Sequence, residues 1–298
     1  MRFKISVIFI LLLNIFFKIH LLAENPKDSN DISGFGKVIA KFYKYNKLVE
    51  NLATIELSFG FSSISLPAKY NSVYAPNYSL GLRYGFTRIY PLIVPDRYYF
   101  ANEFVFAENI SSHLKPKEIP TRNITTDNWK FGCGYRNGYG YKLKDDNFLV
   151  FYHSGSLDWS RIDFEISPVN PSEQNFIRKY DEEFKFGTSF ESGIRYEMFD
   201  MVFTGLLFER SLVFQDFDFF QWISASVPEL CLQRLIDYYG DDLIEEYPDF
   251  YPIAAFILKS AFSFIVYEIK ERNQYWPWES GQPVVNNNFK LGFTYLFK

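Results

Sequence analysis

The residues of this chain whose types and spacing could carry chemistry stand together at His153-Ser154-Gly155-Ser156, with Asp158 and Glu165 close behind. An imidazole that takes the proton of a serine hydroxyl, and is itself oriented by a carboxylate, is an arrangement that activates a nucleophile for acyl transfer. On an extended strand side chains alternate, so Ser154 faces away from His153, and Gly155 fills the next position on the histidine's side. Ser156, three residues on, reaches the imidazole only across a bulge. The candidate catalytic set is thus His153, Ser156 and Glu165, and the competing reading is an ordinary polar turn. A second set consists of charges of both signs that alternate with aromatic residues: Glu56, Arg83, Glu103, Lys130, Arg136, Lys142, Lys185, Glu191, Arg195, Glu197 and Lys290. Enclosed together they either pair and fill an interior, or line a polar passage.

The elements that must position these residues read as strands. Within the hairpin 129–152, the odd positions of its first strand are Trp129, Phe131, Cys133, Tyr135, Asn137, Tyr139 and Tyr141, while the even ones up to Lys142 are lysine, arginine and glycine. A soluble sandwich buries its apolar face under a second sheet, whereas a strand that spans a membrane turns such a face to lipid. Residues 144–147 reverse the chain, so the stretch reads as a β-hairpin of an outer-membrane barrel. The same alternation recurs at Ile55-Leu57-Phe59-Phe61, at Tyr78-Leu80-Leu82-Tyr84-Phe86, and at Phe186, Phe190, Ile194 and Tyr196. On the third strand, Tyr98, Phe100, Phe104 and Phe106 are read as the outer rings and Glu103 as an inner charge. Strand 202–214 and the closing strand 289–297 complete eight.

Connections support that topology. Those at 67–77, 109–127 and 154–183, with the insert before the last strand, are long; those at 91–96, 144–147 and around Asp200 are short, the asymmetry expected of these barrels. A ten-strand alternative counts 160–166 and 257–269 as further strands. Eight is preferred because Leu258, Phe262, Ile265 and Ile269 fall at helical spacing. The expected fold is thus an all-β transmembrane antiparallel barrel of eight strands (alternatively ten) over residues 53–298, with a helical insert at 217–281. Its first helix runs through Phe220, Ile223, Val227, Leu230 and Leu235 to near Gly240, and its second opens at Pro252. Eight strands leave a lumen only wide enough for side chains, so the stripe Leu258, Phe262, Ile265 and Ile269 must be covered outside the barrel or by another molecule. That makes it the expected interaction surface.

Composition agrees. Tyr 22 and Phe 34 contribute to a 20% aromatic content, suited to lipid contact and interfacial girdles. Residues 1–23 carry Arg2 and Lys4, an apolar run and Ala23, the pattern of a signal peptide, with an uncleaved anchor as the alternative. Removing Arg2, Lys4 and Lys18 takes Lys+Arg from 31 to 28 against 35 acids, a net charge of −7 that argues against nucleic acid as a partner. Residues 24–52 form a polar lead and a short amphipathic helix. Cys133 and Cys231 make no disulfide framework, and neither a metal nor a cofactor is expected. The acidic group Asp241, Asp242, Glu245, Glu246 and Asp249 matches no calcium loop and reads as a solvated helix end.

Two resemblances add to this reading. The closing strand, with Phe289, Leu291, Phe293, Tyr295 and Phe297 on one face, resembles the C-terminal assembly signal of bacterial outer-membrane barrels, although Lys298 follows. This implies the outer membrane as location, with its lipid and the barrel-assembly machinery as partners. The His153 and Ser156 pair is similar to those of outer-membrane phospholipases and lipid A deacylases, which implies a lipid hydrolase as the alternative function; those families space the pair two residues apart. The leading expectation is a barrel with a binding, envelope-structural or narrow-channel role, meeting a protein or ligand at its loops and insert.

Overall fold

The computed structural model describes residues 51–67, 74–92, 94–114, 124–143, 147–165, 171–199 and 201–297. The signal segment, most of the lead 24–52, the turn at 144–146, Asp200 and Lys298 lie outside them. Eight antiparallel strands close in sequence order: β1 Leu52–Ser65, β2 Asn77–Pro91, β3 Arg97–Ser111, β4 Thr125–Lys142, β5 Phe148–Glu165, β6 Phe184–Phe199, β7 Val202–Val213 and β8 Val284–Phe297. β8 returns to β1 with Ala53 opposite Phe297, so the sheet has no free edge. The helices are α1 Pro171–Ile177, α2 Phe219–Glu246 and α3 Tyr251–Arg272. Segment 160–165 is the far half of β5 and not a ninth strand, and 257–269 lies within α3. α2 runs past Gly240 to Glu246.

Period-2 alternation produces two opposed faces. Glu56, Ser58 and Ser62 of β1 are buried inside, while Leu57, Phe59 and Phe61 are 50–66% exposed outside. Leu80, Leu82, Tyr84 and Phe86 continue the outer belt on β2, and Phe289, Phe293, Tyr295 and Phe297 on β8. Rings out and charges in is the order a bilayer selects and water opposes.

β3 corrects the expectation. Phe100, Phe104 and Phe106 point inward and Glu103 outward, where it is paired with Arg88 at 3.8 Å. The inner rings are flat beds for cations: Arg136 stands over Phe104 at 4.8 Å and Lys130 over Phe106 at 5.3 Å. Glycine makes the room, since a Cβ on Gly134 would come 2.6 Å from the Phe104 ring.

α2 and α3 lie against the outer wall, not in the lumen. α2 leaves β7 at the rim of the long loops and descends to the rim of the short turns. There the Pro248 carbonyl accepts from Arg97 (3.0 Å) and the Asp249 carbonyl from the Tyr141 hydroxyl (2.7 Å). α3 climbs back, setting Tyr251 against Tyr139 and Tyr267 against Phe190; beyond it Tyr275 meets Phe214. A Cβ on Gly240 would fall on the Tyr251 phenol, so glycine admits α3 at the foot of the hairpin. As a result the outer faces of Tyr139, Asn137 and His153 are covered by helix and are not open to lipid.

Candidate functional site

The lumen is filled in layers. At the long-loop mouth Ile64, Ile162, Val213 and Val284 of the wall, with Ile124 just before β4, meet Phe176 and Ile177 of α1 and Tyr180, forming an apolar stopper. Beside it the Tyr74 hydroxyl donates to Glu173 (3.3 Å), and burial together with that carboxylate holds the phenol well above its ordinary range. A polar layer follows, in which Asn77 and Thr126 bond at 3.0 Å and the side chains of Asn128 and Asn286 are fully buried.

Next come the charges. Lys130 pairs with Glu209 and lies 3.7 Å from Asp158, while Lys290 bridges Glu108 (2.5 Å) and Glu209 (2.8 Å). One layer on, Glu56 accepts from Arg83 (2.8 Å), Arg136 (2.8 and 3.0 Å), Arg195 and the Thr294 hydroxyl (3.0 Å). Glu191 accepts from Arg83 (2.6 Å) and the Tyr152 hydroxyl (2.9 Å) and pairs with Arg136 at 2.7 Å. Arg136 and Arg195 each lie 5.0 Å from the Tyr152 ring, for which Gly193 opposite leaves space. Among the described residues this core holds five buried acids (Glu56, Glu108, Asp158, Glu191, Glu209) and five buried bases (Arg83, Lys130, Arg136, Arg195, Lys290). Buried charge without a partner is costly, and here the signs balance. Phe100, Val150 and Tyr152 pack below them.

Of the expected inner charges, Glu56, Arg83, Lys130, Arg136, Glu191, Arg195 and Lys290 therefore meet in one network. Glu103 is outside. Lys142, Lys185 and Glu197 sit at the rims, Lys185 beside Glu183 at 2.6 Å and Glu197 accepting from the Phe148 amide at 3.2 Å. The sequence reading missed Glu108, Asp158 and Glu209; Glu209 follows Leu206-Leu207-Phe208, where no alternation marks the faces.

The candidate catalytic set is not brought together. Ser156 faces the lumen and shares a 2.5 Å hydrogen bond with Ser189, while His153 points out through the wall, and β5 has no bulge at this point to reunite them. Glu165 is at the far end of the strand, bonded to Thr125 at 2.6 Å. The neighbours of His153 are instead Asn137 and Ser192, directly opposite on β4 and β6. This row lies under α3: His153 is 3% exposed, stacks on Phe190 with ring centres 6.1 Å apart, and its Nε2 has no protein partner.

α2 and α3 meet each other and the wall through polar groups. Lys259 pairs with Asp237 and donates to Asn137 (3.3 Å); Ser263 donates to Glu229 (2.9 Å) and accepts from Gln233 (2.8 Å); Lys270 donates to Glu229 (3.2 Å). Arg210, on the outer face of β7, pairs with Glu268 and Glu271. Of the expected interaction stripe, Leu258, Ile265 and Ile269 are exposed and Phe262 is half-buried. The acidic group carries no metal cluster among the described residues, and both cysteines are free.

No protein-family model matches the chain, and no characterised sequence does. Among solved structures, the Neisserial surface protein A is similar at 9% identity and a TM-score of 0.35, covering 84% of this chain and all of its own. Ail, the attachment invasion locus protein of Yersinia pestis, is similar at 8% identity and a TM-score of 0.32, over 83% of this chain and 99% of its own. A second structure of Ail, in complex with the heparin analogue sucrose octasulfate, gives 8% and 0.33.

Proposed function

We propose that this chain is an outer-membrane barrel that acts on its outside, in binding or envelope structure, with its lumen serving as rigid fill. The observation that carries this reading is that, among the described residues, the interior is filled and its charges are paired. An ion crossing it would have to displace the apolar stopper around Phe176, Ile177 and Tyr180, and then separate the paired charges around Glu56 and Glu209. That supports a closed barrel over a narrow channel. The outer belt of β8, β1 and β2 supports lipid as its surroundings, and β8 is the natural segment for the assembly machinery to engage. Its ligand or protein partner would then meet the long loops. A hydrolase reading would need Ser192, opposite His153 on the same outer face, to serve as the nucleophile, with α3 lifted away.

The test has three arms. The purified full chain in planar bilayers is expected to give no conductance steps, and stable unit conductance would overturn the sealed reading. Fractionation of the producing cell, with heat-modifiable gel mobility, is expected to place a folded barrel in the outer membrane; recovery in the soluble fraction would overturn the location. A fluorophosphonate probe is expected to leave Ser156 and Ser192 unlabelled, and labelling of either would restore the enzyme reading.

A further inference from the structure

The polarity of the α2–α3 hairpin is inverted with respect to a helix pair that meets water. On α3 the buried positions facing the wall and α2 include Lys259, Ser263, Tyr267 and Lys270, whereas Ile253, Ile257, Leu258, Phe264, Ile265 and Ile269 are exposed. On α2 the acid of the seam, Asp237, is 4% exposed, while Val227, Leu230, Leu235 and Leu243 are 41–57% exposed. A surface helix in water places its apolar stripe on the protein and its charges outside. In hydrocarbon the order reverses, because intramembrane charges turn inward and pair.

Three further observations point the same way. α3 has 22 residues and is apolar enough to cross a membrane. At about 1.5 Å per residue it spans about 33 Å, which covers the roughly 25 Å belt of a barrel with a turn to spare. The ends carry aromatic residues followed by charge: Trp276 and Trp278 are exposed beyond the top of α3, and Tyr247 and Phe250 at the bottom turn adjoin exposed Glu245, Glu246 and Asp249. Aromatic rings at both interfaces are what holds a spanning segment at depth. Finally, the hairpin runs from rim to rim of the same wall whose uncovered strands carry the outer belt. Arg234 is the exposed charge on the middle of α2, and it lies one turn from Asp237 and its partner Lys259.

We propose that α2 and α3 are a transmembrane helical hairpin immersed in the acyl chains of the bilayer and fixed to the outer wall of the barrel through an intramembrane polar seam, centred on Asn137, Asp237, Lys259 and Glu229. The proposal rests on the membrane reading of the barrel. The stripe at Leu258, Ile265 and Ile269 is accordingly a lipid contact, not a protein-docking face.

Two native cysteines separate this proposal from that reading, since Cys133 lies on the outer face of β4 and Cys231 on the outer side of α2, both exposed. C231S and C133S variants of the full chain, purified and placed in phosphatidylcholine vesicles, are treated with a membrane-impermeant maleimide and then carry a bimane on the remaining thiol for quenching by doxyl-labelled lipid. The expected result is no labelling at either cysteine until detergent and heat are applied, with both bimanes quenched by doxyl chains. Protection at Cys133 with labelling at Cys231 would overturn the hairpin proposal and leave the membrane barrel standing. Labelling at both would overturn the membrane reading itself. Protection at Cys231 without quenching would mean that protein, such as a second copy, covers the hairpin, and would also overturn the proposal.

Discussion

Glu56→Gln is the sharpest probe of the lumen. Its carboxylate accepts from three guanidinium groups and the Thr294 hydroxyl, and Arg195 makes its charged pair there. The amide keeps one acceptor oxygen but turns an NH2 toward the donors, leaving the buried set with one base in excess. Breaking a buried pair by removing one partner costs about 3–5 kcal/mol, more than the roughly 1.5–3 kcal/mol of a single charge-assisted bond. With a denaturant slope of about 2–3 kcal/mol per M, the urea midpoint of the folded barrel in vesicles should fall by about 1–2.5 M. Adding Arg195→Met to Glu56→Gln restores neutrality and should recover a good part of that loss. Neither variant should conduct, because the stopper around Tyr180 is untouched. An unchanged midpoint for Glu56→Gln, or a double variant no better than the single one, would refute the view that charge balance holds this interior together.

On the outer belt, Leu82→Arg places a charge where half the side chain is exposed, and should cost up to about 2–4 kcal/mol near the midplane. Glu103→Gln, which loses only the long contact with Arg88, should stay within about 1 kcal/mol, and equal midpoints for the two variants would count against the face assignment. Phe297→Ala should lower the folded fraction in the outer membrane more than deletion of Lys298 does; the reverse order would show that the closing strand is misread. Replacing 217–281 by a short Gly/Ser loop uncovers Arg210, His153 and Asn137 to lipid, so folded yield should drop. It should return when Arg210→Leu, His153→Phe and Asn137→Leu accompany the deletion, and a deletion that folds as well as the parent without them would sink the seam.

Much of the barrel was legible in sequence because β1, β2 and β8 have one face that meets lipid and one that meets charges, so alternation names both faces at once. β3 departs from that order for a physical reason. Period 2 sorts residues into two sets without saying which set is inside, and an interior crowded with guanidinium groups also takes up Phe104 and Phe106 as beds for them. β5 runs on past His153 to Glu165 although Ser154, Gly155 and Ser156 read as a turn, because the small Ser154 and Ser156 fit a packed lumen. Against that turn the sequence also offers a catalytic pair, but the strand keeps His153 and Ser156 on opposite faces.

The hairpin was the least legible part, yet its signal is in the chain. Asn137, His153 and Arg210 interrupt the outer face on three strands, and each would be misplaced against hydrocarbon. α3 carries Lys259, Ser263, Tyr267 and Lys270 at intervals of three and four, a polar stripe narrower than the apolar surface around it. Taken alone, each is a defect: a wall with polar gaps, and a spanning helix with buried lysines. Brought together, the gaps accept the stripe, Asn137 meeting Lys259 and Arg210 meeting Glu268 and Glu271. A barrel that needed only to be closed would have kept its rings unbroken on β4 to β7. The polar seam joins the hairpin and the wall into one surface, half of it strand and half of it helix.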